Sequence, residues 1–295
     1  MDTRIVCTPK RLPPDLWEKA ADTATTINPV NHAPVHQLIR IIPGFSPTKA
    51  ALAVLTTKYW GAKGVKLTVG FLDSPASDLR KHILAHMNAW AAFANVQFVA
   101  SNTDPQVRIA RVPNDGYWSY LGTDILHIKP AEQTMNLEGF TMETLESEYK
   151  RVVRHETGHT LGFPHEHMRA ELVAKIDPDK AIAYFGRTQG WSEAEVKAQV
   201  LTPLEKGSLL GTATADDHSI MCYQIPGEIT KNGEPIVGGT DIDKWDRQFV
   251  TLIYPKSKAK PTPKVKAKAK AKGIRKPSRK GKPRAKSTGG RKRRG

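Results

Sequence analysis

Residues 155–169 read "HETGHTLGFPHEHMR", and the spacing of the polar groups in this stretch decides the fold. On a helix, positions i and i+4 share a face one turn apart. His155 and His159 can therefore grip one metal ion, with Glu156 beside them. Zinc suits imidazole nitrogen and keeps an open position when three protein groups hold it. The third group must come from beyond the helix, whose face has rotated away ten residues after His155. Gly162 tolerates the left-handed conformation that ends a helix, and Pro164 prevents continuation, so the chain turns back and brings His165 to the ion. A bare H-E-x-x-H also arises by chance on solvated helices, and the chain carries its own controls. His82 and His86 share the spacing without an intervening glutamate and read as a solvated or boundary face. His32 and His36 share it too, but Pro34 between them argues against a helix.

Outward from this stretch the texture is that of an α+β domain. Residues 65–72 (VKLTVGFL) alternate and are rich in β-branched side chains, which predicts a strand. Residues 77–94 place Leu79, Ile83, Met87, Trp90 and Phe93 at helical spacing, facing a sheet. Strands are expected at 96–100, 106–112 and 124–128. A helix is expected over 146–161, its first turn carrying Glu146 and Glu148 at the positive end of the dipole. Further helices are expected in PDKAIAYFGR and SEAEVKAQVL. A closing helix at 241–254 is expected to pack Trp245, Phe249, Leu252 and Ile253. Near the N-terminus, PDLWEKAADTA suggests a short helix, while 29–48, with four prolines, reads as a loop.

The longer pattern His155-Glu156-x-x-His159-x-x-Gly162-x-x-His165 resembles the metzincin zinc-peptidase signature. Phe163, Glu166 and Arg169 resemble its astacin branch, and SIMCY at 219–223 is similar to that branch's methionine turn. GYWSYLG (116–122) resembles the stretch that astacins carry upstream of the helix. The resemblance implies a metzincin-like α+β fold: a twisted mixed sheet with helices in an N-terminal subdomain, the histidine helix, then a C-terminal subdomain with the methionine turn and a closing helix. It implies one Zn2+ per chain on His155, His159 and His165, with Met221 as the apolar floor of the site. Glu166 is expected to be a structural hydrogen-bond partner and His167, past the required spacing, a solvated residue. The implied activity is endopeptidase hydrolysis of a protein or peptide substrate. Zinc lowers the pKa of its water to about 7, Glu156 takes the proton and passes it to the leaving amine, and Tyr223 donates to the developing oxyanion. Substrate is expected along an edge strand within 106–122, with Trp118 in the core.

The chain departs from astacins in several ways. The disulfide cysteines are missing, Cys222 stands where the family usually has histidine, and residues 1–60 show no aspartate switch. Cys7 as an inhibitory thiolate over the zinc, as in other metzincin branches, is set aside because nothing around it resembles such a switch.

Charge divides the chain again. The formal net charge is +16, yet 19 of the 45 Lys and Arg lie between Lys256 and Gly295, where there is no Asp or Glu. The remaining 26 basic residues face 29 acidic ones, so the body sits near −3. The expected organisation is an N-terminal extension (1–60) whose role is left open between a pro-like or covering segment and a plain extension, the peptidase domain (61–255) and a Lys/Arg-rich tail (256–295). The tail has no aromatic residue and only Val265 and Ile274 as β-branched aliphatics, so it cannot bury a core and is expected to be disordered. Lys264, Lys266, Lys268, Lys270, Arg291, Lys292, Arg293 and Arg294 are candidates for nonspecific attachment to nucleic acid or another polyanion. The competing reading is a nucleic-acid-associated scaffold with a vestigial zinc domain; the complete set of ligands, base, methionine and tyrosine favours the enzyme. Two cysteines and no apolar N-terminal run point to a cytoplasmic protein without a membrane span, leaderless export being the other route.

Overall fold

A computed structural model describes Cys7 and residues 10–41, 56–203 and 215–256. Strands β1 (Val65–Phe71), β2 (Val96–Ala100), β3 (Val107–Ala110), β4 (Tyr117–Ser119) and β5 (Met135–Leu137) form one sheet in the order β2-β1-β3-β5-β4. All neighbours pair parallel except β4, which runs antiparallel to β5 and forms an edge. The helix Ser77–Met87 and the 3-10 turn Asn88–Ala92 lay Leu79, Ile83, Met87 and Trp90 against the sheet, as their helical period predicts. The main core adds Tyr149, Val152 and Val153 from the histidine helix and Val250 and Tyr254 from the closing helix Lys244–Ile253. A second, smaller core gathers Leu172, Ile176, Phe185, Val196, Ile225 and Ile236 in the C-terminal half. Among the described residues, no helix is long and apolar enough to cross a membrane.

Three local expectations fail for physical reasons. Residues 124–128 are not a strand but part of a 3-10 stretch, Gly122–His127. Gly122 sits at φ +47°, where a Cβ would meet the Lys58 carbonyl at 1.9 Å, and Thr123 N–H donates to that same carbonyl. The backbone is thus turned by a partner more than sixty residues away. The strand that pairs there instead, β5, is only three residues long, too short to leave a periodic signal. Residues 29–41 are not a loop: a 3-10 turn (Pro29–His32) leads into a helix (Ala33–Ile41), with Pro29 and Pro34 both in first turns, where no N–H is needed. The remainder of that expectation, 42–48, lies outside the described residues. Finally, Trp245 and Leu252 of the closing helix are exposed, at 45% and 70%. Its buried stripe runs through Asp246, Val250 and Tyr254, with Phe249 and Ile253 partly buried beside it.

Candidate metal centre

The histidine helix runs without a break from Glu146 through a π-helical stretch, Tyr149–Val153, into Arg154–Thr160. Its end is a Schellman motif: Phe163 N–H donates to Gly158 O at 3.0 Å and Gly162 N–H to His159 O at 2.8 Å. Gly162 has φ +95°, and a Cβ there would crowd the Lys58 carbonyl and the Tyr59 ring at 3.0 Å. The chain then turns back, and Glu166 N–H donates to Met221 O at 2.8 Å, fixing His165 beside the helix.

The three imidazoles meet through their Nε2 atoms, His155 to His165 at 3.1 Å and His159 to His165 at 3.0 Å. His155 Nδ1 lies 2.5 Å from Ile220 O, and His159 Nδ1 lies 2.8 Å from Phe163 O. A carbonyl only accepts, so both Nδ1 atoms carry the proton and both Nε2 atoms point lone pairs at His165. One proton on His165 can satisfy one of these two contacts; a cation between them satisfies all three nitrogens. A zinc ion with imidazole nitrogens at about 2.0–2.1 Å in a tetrahedron sets them about 3.3 Å apart, close to the spacing present. Burial holds the imidazoles in the neutral, ligating form: His155 and His165 are pushed well below the ordinary histidine range and His159 to about 4. The residues therefore fit the metal.

Beneath the cluster lies Met221, whose Sδ would sit 2.3 Å from a Cβ at Gly158. The turn carrying it is tied to the closing helix. Asp246 accepts from the Ser219 hydroxyl at 2.6 Å and from Ile220 N–H at 2.9 Å. Glu166 accepts from Asp216 N–H at 3.1 Å, with Arg169 nearby. Glu156 is buried beside the cluster, and burial pushes its carboxyl up to about 8.

The group that sequence reasoning set aside is Cys7. Its Sγ lies 3.4 Å from His159 Nε2 and donates to Glu156 Oε2 at 3.5 Å. Cys7, His155, His159 and His165 each offer a ligand atom, all within 4.8 Å of one another. The Tyr223 hydroxyl donates to the Cys7 carbonyl. Cys7 and Lys10 bridge Tyr117 and Tyr120 in parallel along the outer edge of β4, and Lys10 reaches Asp115 and the Trp118 ring. Cavities of about 370 Å³ and 220 Å³ flank the cluster, one lined by Cys7, Glu156 and Tyr223, the other by Lys10, Leu12 and His159. No local motif marks Cys7 because its partners are 149 and 152 residues away.

A scan against family models matches the Astacin peptidase family over residues 54–182. A solved structure of myroilysin aligns at 30% identity and TM-score 0.63, covering 68% of this chain and 96% of that one. The chain belongs to the astacin family. It is accordingly a metalloendopeptidase of a zinc-dependent family, with the α+β metzincin fold. A second myroilysin structure aligns at 30% identity and TM-score 0.53, over 68% of this chain and 86% of that one. High choriolytic enzyme 1, a hatching enzyme zinc-protease from Oryzias latipes (Medaka fish), aligns at 18% identity and TM-score 0.46, over 68% and 95% of the respective chains. Among curated proteins, none matches.

Within this astacin-family domain, one more residue corrects the sequence reading. His167 is not solvated. The 3-10 turn Glu166–Met168 swings it inward, where it is fully buried and stacked on Tyr223 at 3.9 Å and 14°. Its Nε2 contacts Gln199 O at 3.0 Å. Met221 and Trp118 are buried as expected. The tail candidates Lys264, Lys266, Lys268, Lys270, Arg291, Lys292, Arg293 and Arg294 lie outside the described residues.

Proposed function

We propose that His155, His159 and His165 hold the zinc of this astacin-family endopeptidase, that Glu156 moves the protons of hydrolysis, and that the described conformation is a latent one blocked by Cys7. The observation that carries the reading is the meeting of three Nε2 atoms with a buried glutamate alongside. Bound there, zinc supplies a Lewis acid for the scissile carbonyl and lowers the pKa of water to about 7.

The rest falls to the chain's own groups. Ile220 O and Phe163 O orient His155 and His159 and fix their tautomers. Glu156, buried beside the cluster, is placed to accept a proton from water and return it to the leaving amine. Tyr223 donates a hydrogen bond to the oxyanion once its hydroxyl is released from Cys7. The outer edge of β4 offers main-chain groups to an extended peptide, in the place where Cys7 and Lys10 now lie. The stretch that carries Cys7 and Lys10 thus acts as the covering segment, with Cys7 the fourth donor at the cluster. The basic tail tethers the enzyme to nucleic acid or another polyanion, a reading supported by its composition.

The test is metal analysis with a peptide-library profile of wild type against Glu156→Ala, each freed of residues 1–10. Equal zinc with cleavage only by wild type supports the assignment. Cleavage by Glu156→Ala at the wild-type rate removes Glu156 from the mechanism.

A further inference from the structure

The pair His82 and His86, ordinary in sequence, acquires a third partner in the fold. Both lie on the helix Ser77–Met87, one turn apart, and Glu146 opens the run that leads to His155. His82 Nε2 is 3.2 Å from Glu146 Oε2, and His86 Nε2 is 3.3 Å from Glu146 Oε1. One donor atom from each of the three lies within 4.8 Å of the others. We propose that His82, His86 and Glu146 form a second divalent-metal site, suited to Zn2+, that clamps the Ser77–Met87 helix to the start of the histidine helix.

Several features distinguish this cluster from an ordinary ion pair. Two imidazoles and a carboxylate are a donor set that zinc uses when it keeps a position open to water. The rings are positioned by packing: Tyr149 meets His82 edge-on at 4.3 Å and stacks on His86 at 5.1 Å. His86 is 5% exposed, and its buried Nδ1 has no hydrogen-bond partner, so its polar engagement runs through Nε2 towards Glu146. Burial also holds His86 below the ordinary histidine range, which favours the neutral ligand over an imidazolium paired with Glu146. On the other side, Glu146 is 57% exposed and His82 35%, leaving a path for a hydrated cation.

The site is separate from the His155 cluster. Glu146 precedes His155 by nine residues, roughly 13 Å along a helix at 1.5 Å per residue. Its role is different as well, since among the described residues nothing like the buried Glu156 stands beside it. A cation bound here joins two elements that both support the histidine helix, and a ligand that binds the folded form alone raises its stability.

The test uses the full chain, saturated with Zn2+ and analysed for bound metal and thermal midpoint. His82→Ala and Glu146→Gln are the variants, because both groups are partly exposed and neither lies in the catalytic machinery. Wild type is expected to bind one equivalent more than either variant and to show a rise in Tm with excess Zn2+ that both variants lack. Peptide cleavage is expected to be unchanged in both. The readout is a difference of one equivalent, so it does not depend on how the His155 cluster is filled. Equal stoichiometry and an equal Tm response in all three proteins would overturn the proposal.

Discussion

Gly158 stands between His155 and His159 at a position where the signature allows any residue, yet the fold leaves no room there for a side chain. A Cβ at 158 would lie 2.3 Å from Met221 Sδ, 3.1 Å from Met221 Cε and 3.4 Å from Trp90 Cζ2. Two effects oppose each other in Gly158→Ala. In an open helix the change is favourable by about 1 kcal/mol. Overpacking a filled site costs about 1–3 kcal/mol. Met221 is a flexible side chain, but it is buried in the main core on a turn held by Ser219 and Glu166, so its thioether can move aside only into space already filled. The contact below 3 Å puts the overpacking in the upper part of its range, about 2–3 kcal/mol, and less the propensity gain of about 1 kcal/mol the net destabilisation is on the order of 1–2 kcal/mol. For a domain of this size that lowers Tm by about 2–8 °C, since each kcal/mol is worth about 2–4 °C. The assay is thermal unfolding of wild type, Gly158→Ala, Met221→Ala and the double variant. Met221→Ala alone costs about 2–5 kcal/mol through the cavity it leaves. In the double variant the new methyl fills part of that cavity, so the two costs combine to less than their sum by about 1 kcal/mol or more. A neutral or stabilised Gly158→Ala, or simple additivity, would refute the reasoning.

Other consequences can be checked in the same way. Cys7→Ser in the full chain removes the sulfur from the histidine cluster and is expected to raise the initial rate of peptide cleavage; an unchanged rate would mean that Cys7 does not hold the enzyme latent. Asp124 is half-buried beside Lys58, and desolvation of its carboxyl raises its pKa from 3.8 to about 6. A carboxyl raised in the folded state contributes stability present below the unfolded pKa and lost as pH rises through the folded one. Wild type is thus expected to lose up to about 1.4 kcal/mol per pH unit from this group between about pH 4 and 6. Asp124→Asn should lose that part of the slope, and parallel Tm–pH curves for the two proteins would disprove the linkage. For the tail, the full chain is expected to bind duplex DNA at low salt, with affinity falling steeply as salt rises, while a chain ending at Pro255 does not bind. Equal retention of both on DNA would count against the tether.

Where the signal was local and strong, the sequence could be read directly. The helical spacing of His155 and His159, the Gly162 stop and the amphipathic stripe through Leu79, Ile83 and Met87 each depend on neighbours within a few residues, and the structure places all of them as expected. Two of the failures share one cause, a partner far away in the chain, whereas the helical stretch 29–41 was missed because its prolines sit in first turns, where a helix tolerates them. The turn at 122–127 is set by the Lys58 carbonyl, and His167 is turned inward against Gln199 and Tyr223.

The sequence by itself determined the family, the histidine triad, the buried glutamate's position beside it and the separation of a basic tail from a slightly acidic body. Tertiary structure alone decided what surrounds those groups. It brings Cys7 across about 150 residues to His159 and Glu156. It sets Met221 against Gly158, anchors its turn on Asp246, and adds Glu146 to a histidine pair that looked idle. The physical reason is that helical period and turn chemistry are written within about ten residues, whereas a donor set or a filled cavity depends on which distant segments the core draws together.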